Sequence, residues 1–370
     1  MTGSVVIAAG GTGGHLVPAL AIAAALEKRA PGTAISFVGT ARELDRTLIP
    51  AAGYRVHTTS VAPFSRSARG AIAAASMLPA TMQARRILRR ERASVVVGMG
   101  GYPSLPVIAA SRTMRIPALI QEANAIPGLA NEAAARMTRN IAVSFPETVW
   151  LFRRRSPRLV GLPLREAILR FDRDALRREA VELLGLSPGL RTVLIFGGSL
   201  GAARLNEAAI GLAARWSARE DMQMIVLTGT AHAADVRERI EPGKLTVRVL
   251  PFLERMELAY AAADVAVCRA GASTVHELAV VGLPSILVPL PVARRREQDA
   301  NAGMLVGAGA AQMIDDADAT PALLDAVVGP ILDDRDARAR MSQAARSVAR
   351  PAAADEMAAW IISLTRTRRA

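Results

Sequence analysis

Cysteine is nearly missing: Cys268 is the one thiol in 370 residues. No intrachain disulfide can form, which fits a reducing compartment. Cys268 closes the apolar run Ala263–Cys268 and reads as a buried strand residue rather than a nucleophile. Histidine is almost as sparse. His15, His57, His232 and His276 lie far apart, with no HxxxH or CxxC pair, so no metal site is expected. Aromatic residues are only 4%, which leaves Ala, Val, Leu and Ile to build the cores. Long apolar runs are missing too. Ser94–Ser111 and Leu278–Ala293 are uncharged over most of their length but are broken by Gly and Pro, so no membrane-spanning helix is predicted. The chain opens directly on the strand-like run Ser4–Ala9, without the basic start and cleavage site of a signal peptide.

What is present is apolar and basic. Hydrophobic residues make up 51%, and mean hydropathy is +0.24, enough to bury sizeable cores. The length suggests two domains rather than one. Lys and Arg number 46 against 33 Asp and Glu, a net charge of +13. Such a surface attracts anions: nucleic acid, lipid headgroups or phosphorylated substrates. No nucleic-acid module is recognisable and aromatics for base stacking are few, so nucleic acid is not expected as a partner.

Short β-branched runs alternate with Ala/Leu-rich helical stretches. Candidate strands are Val5–Ala8, Ala34–Val38, Val95–Val97, Ala118–Gln121 and Ile141–Val143, then Thr192–Phe196, Met224–Leu227, Val247–Leu250, Val265–Cys268 and Ser285–Val288. Alternation of this kind predicts an α/β fold with parallel sheets covered by helices. One pattern occurs twice. Val5–Ala9 runs into Gly10-Gly11-Thr12-Gly13-Gly14, and Thr192–Phe196 runs into Gly197-Gly198-Ser199-Leu200-Gly201. Both are strand, glycine-rich turn, helix. The simplest account is two Rossmann-like domains, over residues 1–160 and 161–347, with the break near Pro157–Pro163. Ligands of such sheets bind beyond the carboxyl ends of the strands. Two domains facing each other would leave a cleft between them.

Glycine-rich turns leave room for a ligand, and the helix that follows offers free N–H groups suited to a diphosphate. Any tight strand–helix turn also uses glycine, so one loop says little and two matched loops say more. Neither is a P-loop, because no Lys follows in the GxxxxGK spacing. Neither fits GxGxxG, because Leu16 stands where the last glycine belongs, and a dinucleotide dehydrogenase drops in rank. A third loop, Gly98-Met99-Gly100-Gly101-Tyr102-Pro103, offers Tyr102 to a sugar, or to a half-buried packing site. The run Arg269–Glu277 also follows a strand and opens a helix. It suits a diphosphate with Glu277 on a ribose, but Thr274-x-x-Glu277 is equally a helix capping box.

Several motifs then occur in a fixed order: Gly10–His15 with Pro18, Gly100-Gly101-Tyr102, Asn124 within Glu122–Gly128, Gly197–Gly201 with Asn206, Arg269–Glu277, and Gln298-x-x-Asn301-Ala302. Together they resemble the bacterial N-acetylglucosamine transferases of peptidoglycan synthesis, across Val5 to Ala311. That resemblance implies the GT-B architecture, with a final segment 348–370 returning to the first domain. It implies transfer from UDP-N-acetylglucosamine (UDP-GlcNAc) to undecaprenyl-diphospho-N-acetylmuramoyl-pentapeptide (lipid I), with inversion and without a metal or other cofactor. It implies donor contacts from Thr12, Gly13 and Gly14. Asn124 would touch the sugar or the acceptor. Arg165 and Ser199 would bind phosphate. Leu253 would meet uracil, Ala272, Ser273, Thr274, Val275, His276 and Glu277 would hold diphosphate and ribose, and Gln298 would reach the sugar. The chain departs from the family at Leu200 (often Gln), Gln121 and Glu297 (commonly His), and Arg294-Arg295-Arg296 (commonly acidic or mixed).

The acceptor hydroxyl is a poor nucleophile and needs a base. His15 is the first candidate, with loop or acceptor orientation as its other reading. Glu122 is the reserve, with a surface carboxylate as its other reading. The segment Phe64–Arg92 mixes apolar residues with arginines. At helical spacing Ala84, Ile87 and Leu88 share one face, and Arg85, Arg86, Arg89 and Arg90 the other. It reads as an ordinary covering helix or as a patch for an anionic membrane, which a lipid acceptor favours. The expected location is peripheral, on the cytoplasmic face of the cell membrane. Competing functions are a GT-B transferase with another acceptor and a UDP-GlcNAc epimerase.

Overall fold

The computed structural model describes residues 3–59, 68–198, 201–291 and 294–367, and their side chains except at 68–75, 294 and 367. The Ser199 and Leu200 expectations, and the start of the Phe64–Arg92 segment, lie outside the described residues. The chain divides into two units: Met1–Arg165 with Arg350–Ala370, and Glu166–Ala349. The division falls after Arg165, and the last stretch belongs to the first unit.

In unit 1 the chain runs β1 (Ser4–Ala8), α1 (Gly13–Arg29), β2 (Ala34–Gly39), α2 (Glu43–Ala51), β3 (Arg55–Thr58) and α3 (Ala68–Arg90). It continues through β4 (Ala93–Gly98), α4 (Ser104–Thr113), β5 (Ala118–Glu122), α5 (Leu129–Ala134), β6 (Asn140–Val143), α6 (Pro146–Leu151) and β7 (Arg158–Leu159). All strands pair in parallel, in the order β3-β2-β1-β4-β5-β6-β7. Unit 2 holds α7 (Glu166–Leu169), α8 (Arg173–Leu183), β8 (Arg191–Phe196), α9 (Ala203–Arg215), β9 (Met222–Leu227), α10 (Ala233–Arg239) and β10 (Thr246–Leu250). Then come α11 (Met256–Ala262), β11 (Val265–Cys268), α12 (Ala272–Val281), β12 (Ser285–Leu287), α13 (Glu297–Gly307), β13 (Ala311–Met313), α14 (Pro321–Asp333) and α15 (Arg335–Ser347). Its strands are also parallel, in the order β10-β9-β8-β11-β12-β13. The chain closes with α16 (Ala353–Thr367).

All ten predicted strands are present within a residue or two. Three others escaped the pattern: β3, β7 and β13. Each is an edge strand and only partly buried. An edge strand has no second neighbour, so it need not be apolar on both faces and leaves no apolar run to read. The central strands are the reverse case: β1, β4, β8, β9 and β11 are buried almost throughout.

Helices cover both faces of the first sheet. One core joins α1 and α16 to Val5, Ile7, Phe37, Val95 and Val97. The other joins α3, α4 and α5 to Val6, Ala8, Val96, Ile120 and Ile141. In unit 2, α9 and α14 pack over β8, β9 and β11. Local chemistry starts several of these helices. Asp172 accepts from the Asp174 and Ala175 amides at the head of α8, and Asp334 does the same for α15. α16 is held by its apolar stripe, with Ala353, Met357, Ala358 and Ile361 fully buried, and by the Arg158 guanidinium lying 4.2 Å over the Trp360 ring. Met357→Ala should open a cavity against α1 and cost about 2–5 kcal/mol, read as a lower unfolding midpoint in urea.

Candidate active site

In each sheet the strand order reverses beside the first strand, between β1 and β4 and between β8 and β11. There the neighbouring turns lead away in opposite directions and leave a crevice at the carboxyl edge. The glycine-rich turns sit at these two points. Each unit therefore carries one set of site residues, described in turn.

In unit 1 the turn after β1 is gripped from both sides. Asp45, on α2, is fully buried. Its carboxylate accepts from the Gly11 amide at 3.2 Å, the Thr40 amide at 2.8 Å and the Thr40 hydroxyl at 2.7 Å. Arg42 donates to the Gly11 carbonyl. Thr12 follows in extended conformation as the residue before α1. Its hydroxyl does not cap the helix; it meets Nδ1 of His15 at 3.1 Å. The other side of the imidazole lies on the turn after β4. A Cβ at Gly100 would come 3.3 Å from Nε2, and one at Gly101 3.4 Å from Cε1, and both glycines have φ in the left-handed region, +88° and +69°. The left-handed backbone favours glycine at both positions, and the ring lies close against them. Partial burial holds the His15 pKa below its usual 6.5. Tyr102 is half-buried, its ring close over Gly11. Thr12, His15 and Tyr102 are thus brought together, while Gly13 and Gly14 open α1 beside them.

Glu122 is not a surface carboxylate. It ends β5 at 3% exposure. Its oxygens accept from the Asn124 amide at 3.0 Å, the Gly128 amide at 3.1 Å and the Asn131 side chain at 2.9 Å. The correction has a physical reason: these donors shape the loop that presents Asn124, which Thr148 also holds by donating to the Asn124 and Ala125 carbonyls. Gln121, in the position where the family commonly has His, donates to Ser144 at 2.8 Å and faces into the core. Arg165, half-buried, is the last residue of this unit before α7.

In unit 2 the run Arg269–Glu277 loses one of its two readings. α12 begins at Ala272, with Gly271 before it and no side-chain cap, so Thr274-x-x-Glu277 forms no capping box. Thr274 sits inside the first turn. Ala272, Ser273 and Thr274 therefore present main-chain N–H groups that no carbonyl of the helix can reach, at its positive end. They are half-exposed, whereas Val275, His276 and Glu277 turn inward. The Tyr260 hydroxyl donates to Glu277 at 2.8 Å, and His276 Nδ1 lies 2.9 Å from the Ala272 carbonyl. Arg269 donates to the Val288 and Pro289 carbonyls and pairs with Asp316 at 2.6 Å, which fixes the turn before α12. Asn206 is buried and donates to the Thr228 carbonyl at 3.1 Å, so its amide ties α9 to the end of β9. Gly201 lies where that carbonyl would meet a Cβ at 1.9 Å. Leu253 follows β10, half-exposed. Gln298, on α13, accepts from the Leu290 amide at 3.0 Å. Cys268 is buried and burial raises its pKa, which suits packing and not reactivity.

Sequence reasoning missed Asp45, Thr40, Asn131 and Tyr260. Asp45 reaches Gly11 across 34 residues, Asn131 reaches Glu122 across 9 and Tyr260 reaches Glu277 across 17, so no short motif announces them.

Comparison with known proteins identifies the family. The N-terminal domain model of glycosyltransferase family 28 matches residues 5–143, and its C-terminal domain model matches residues 192–357. A UDP-N-acetylglucosamine–N-acetylmuramyl-(pentapeptide) pyrophosphoryl-undecaprenol N-acetylglucosamine transferase of Mycolicibacterium paratuberculosis is 40% identical, over 99% of this chain and 90% of the relative. The transferase of that name from Streptomyces coelicolor is 41% identical, over 95% of both. The chain belongs to this family of glycosyltransferases. The crystal structure of Acinetobacter baumannii MurG aligns with 98% of this chain and 99% of its own, at TM-score 0.78 and 29% identity. The two Rossmann-like units are those of the GT-B architecture of such transferases. Within this family frame, the Asp45 carboxylate becomes a positioning group for the turn that carries Thr12 and His15. Asp45→Asn would set an amide NH2 against the N–H donors it now accepts from. Turnover with the lipid acceptor should fall about tenfold to a hundredfold, while UDP-GlcNAc affinity, measured by calorimetry, should stay as it is.

Proposed function

We propose that this protein transfers N-acetylglucosamine from UDP-GlcNAc to undecaprenyl-diphospho-N-acetylmuramoyl-pentapeptide, forming lipid II, by direct displacement with inversion and without a metal. The observation that carries the reading is the identity of about two residues in five with transferases of that name over nearly the whole chain.

The donor belongs to unit 2. The diphosphate of UDP sits at the first turn of α12, on the amides of Ala272, Ser273 and Thr274, with Arg165 and Ser199 as further phosphate ligands. As the glycosidic bond breaks, charge builds on that diphosphate, and fixed N–H dipoles and a guanidinium stabilise it. Glu277, oriented by Tyr260, accepts from the ribose hydroxyls. Val275 and His276 contribute through the helix they build. Leu253 meets uracil through its backbone, and Gln298 reaches the sugar. Asn206 acts by tying α9 to the end of β9 through the Thr228 carbonyl. In unit 1, Thr12, Gly13, Gly14, Tyr102 and Asn124 form the acceptor side.

His15 is the base. A lowered pKa keeps the imidazole neutral at pH 7, with a lone pair free for the acceptor proton. The three donors on Glu122 remove it as a rival, since a carboxylate engaged in shaping a loop is a poor proton acceptor. The protein works at the cytoplasmic face of the cell membrane as a peripheral enzyme. Among the described residues no helix is long and apolar enough to cross a membrane. α3 supports the peripheral reading: Ala84, Ile87 and Leu88 face the core, while Leu78 and Met82 are 71% and 51% exposed beside the exposed Arg86, Arg89 and Arg90.

The deciding experiment is UDP release from UDP-GlcNAc in EDTA, with and without a lipid I analogue. Release that requires the acceptor and survives EDTA is the expected result. Turnover of UDP-GlcNAc without acceptor would overturn the transferase reading in favour of an epimerase. Two variants divide the roles. Glu277→Gln should raise KM for UDP-GlcNAc about tenfold to a hundredfold, with kcat little changed. His15→Ala should lower kcat by about a hundredfold or more. In the wild type, the acid limb of kcat/KM should have its midpoint below 6.5. Protonation of His15 then removes the base, and an acid limb at or above 6.5 would exclude this assignment.

A further inference from the structure

A buried tyrosine in unit 2 stands behind two parts of the donor site proposed above. Tyr260 lies on α11, at 2% exposure. Its hydroxyl donates to Glu277 at 2.8 Å, and its ring meets that of Phe196 edge-on, with centroids 6.1 Å apart. Phe196 ends β8 and leads directly into the turn that opens with Gly197-Gly198. Glu277 lies on α12, the helix whose first turn carries Ala272, Ser273 and Thr274. One side chain thus meets the strand that carries a glycine-rich turn and the carboxylate assigned to the ribose.

α11 itself is anchored. It has seven residues, too few for a helix to be stable alone. The carbonyls at its C-terminal end have no partner within the helix. Arg173 and Arg177, on α8, supply them. Arg177 donates to the Ala262 carbonyl at 2.8 Å and the Ala261 carbonyl at 3.3 Å, and Arg173 donates to the Ala263 carbonyl at 2.7 Å. Asp264 pairs with both guanidinium groups and accepts from the Thr192 amide of β8 at 2.8 Å. Residues Glu257 to Ala262 are all buried. The Tyr260 hydroxyl is therefore a fixed point, tied to the sheet through α8 and β8.

A glutamate carboxylate turns broadly about its last bond unless something holds it. At 8% exposure, Glu277 has little water to do so. A donor on an anchored helix selects one plane for the carboxylate. A site preset in this way for a hydroxyl discriminates strongly against an analogue that lacks it, because its own buried group is then left unpaired. A carboxylate free to turn would adapt to whichever hydroxyl remained.

We propose that Tyr260 is a positioning residue that makes the donor site selective for a ribonucleoside diphosphate over its 2′-deoxy counterpart, by fixing the plane of the Glu277 carboxylate. The inference rests on the donor reading above and deepens it by a residue that acts through Glu277.

Calorimetry of the full chain with UDP and with 2′-deoxy-UDP tests it. Tyr260→Phe keeps the ring against Phe196 and removes the hydroxyl alone. The wild type should prefer UDP. The variant should bind UDP about tenfold more weakly and lose less with 2′-deoxy-UDP, so that the preference narrows. KM for UDP-GlcNAc should rise while kcat holds, because the diphosphate separates the ribose from the anomeric carbon. In a Glu277→Gln background the same substitution should leave the preference where it is. Equal weakening of both ligands would make Tyr260 a packing residue and overturn the inference. Further narrowing in the Glu277→Gln background, or a fall in kcat with KM unchanged, would overturn it too. A wild type that binds both ligands tightly and alike would overturn it and leave the donor reading standing. A wild type that binds neither would overturn the donor reading and this inference with it.

Discussion

The constraint on which everything else depends is the parallel sheet. A parallel strand can be followed by another only through a crossover, and here helices supply almost all the crossovers. Every turn at the carboxyl edge therefore opens toward a helix N-terminus, where main-chain N–H groups lack partners within the helix. Reversal of strand order at β1/β4 and at β8/β11 parts the neighbouring turns and leaves those N–H groups accessible. Anion recognition is thus a by-product of building two such sheets. The particular side chains at α1 and α12 decide what anion, and what chemistry, that property serves.

Buried carboxylates then hold the turns in shape. Asp45 gathers Gly11 and Thr40, Glu122 gathers the loop from Asn124 to Gly128, and Glu277 receives the Tyr260 hydroxyl. Removing a carboxylate from water is costly unless its oxygens find donors, so each group favours one loop conformation strongly over its rivals. The same economy governs Asp264 in unit 2, which accepts from the Thr192 amide and pairs with Arg173 and Arg177. Precision in these loops comes from polar groups with full partners. The apolar cores beneath supply most of the stability.

Charge in unit 1 is divided between the two edges of its sheet. The carboxyl edge carries glycine, threonine and one histidine of lowered pKa, with the carboxylates Asp45 and Glu122 buried within its loops. The amino edge carries arginine at the end of turn after turn. The net charge of +13 is thus in part a localised feature.

The sequence by itself determined the layer architecture, the two repeats, ten of the thirteen strands and the order of the motif set. These depend on short-range properties: periodicity, β-branching and the glycine that a strand–helix turn demands. It also placed Ala84, Ile87 and Leu88 on the buried face of α3. Tertiary structure alone decided the rest. It removed the capping box at Thr274, because only the folded chain fixes where α12 begins. It moved Glu122 from the surface to the interior and turned Asn206 toward Thr228. It found the edge strands, which need apolar residues on one side at most. It brought Asp45 to Gly11 and Tyr260 to Glu277 across gaps that no spacing rule spans. The reason is common to all of these. A side chain's partner is chosen by the path of the backbone in space, and the residues between two partners carry no mark of their meeting.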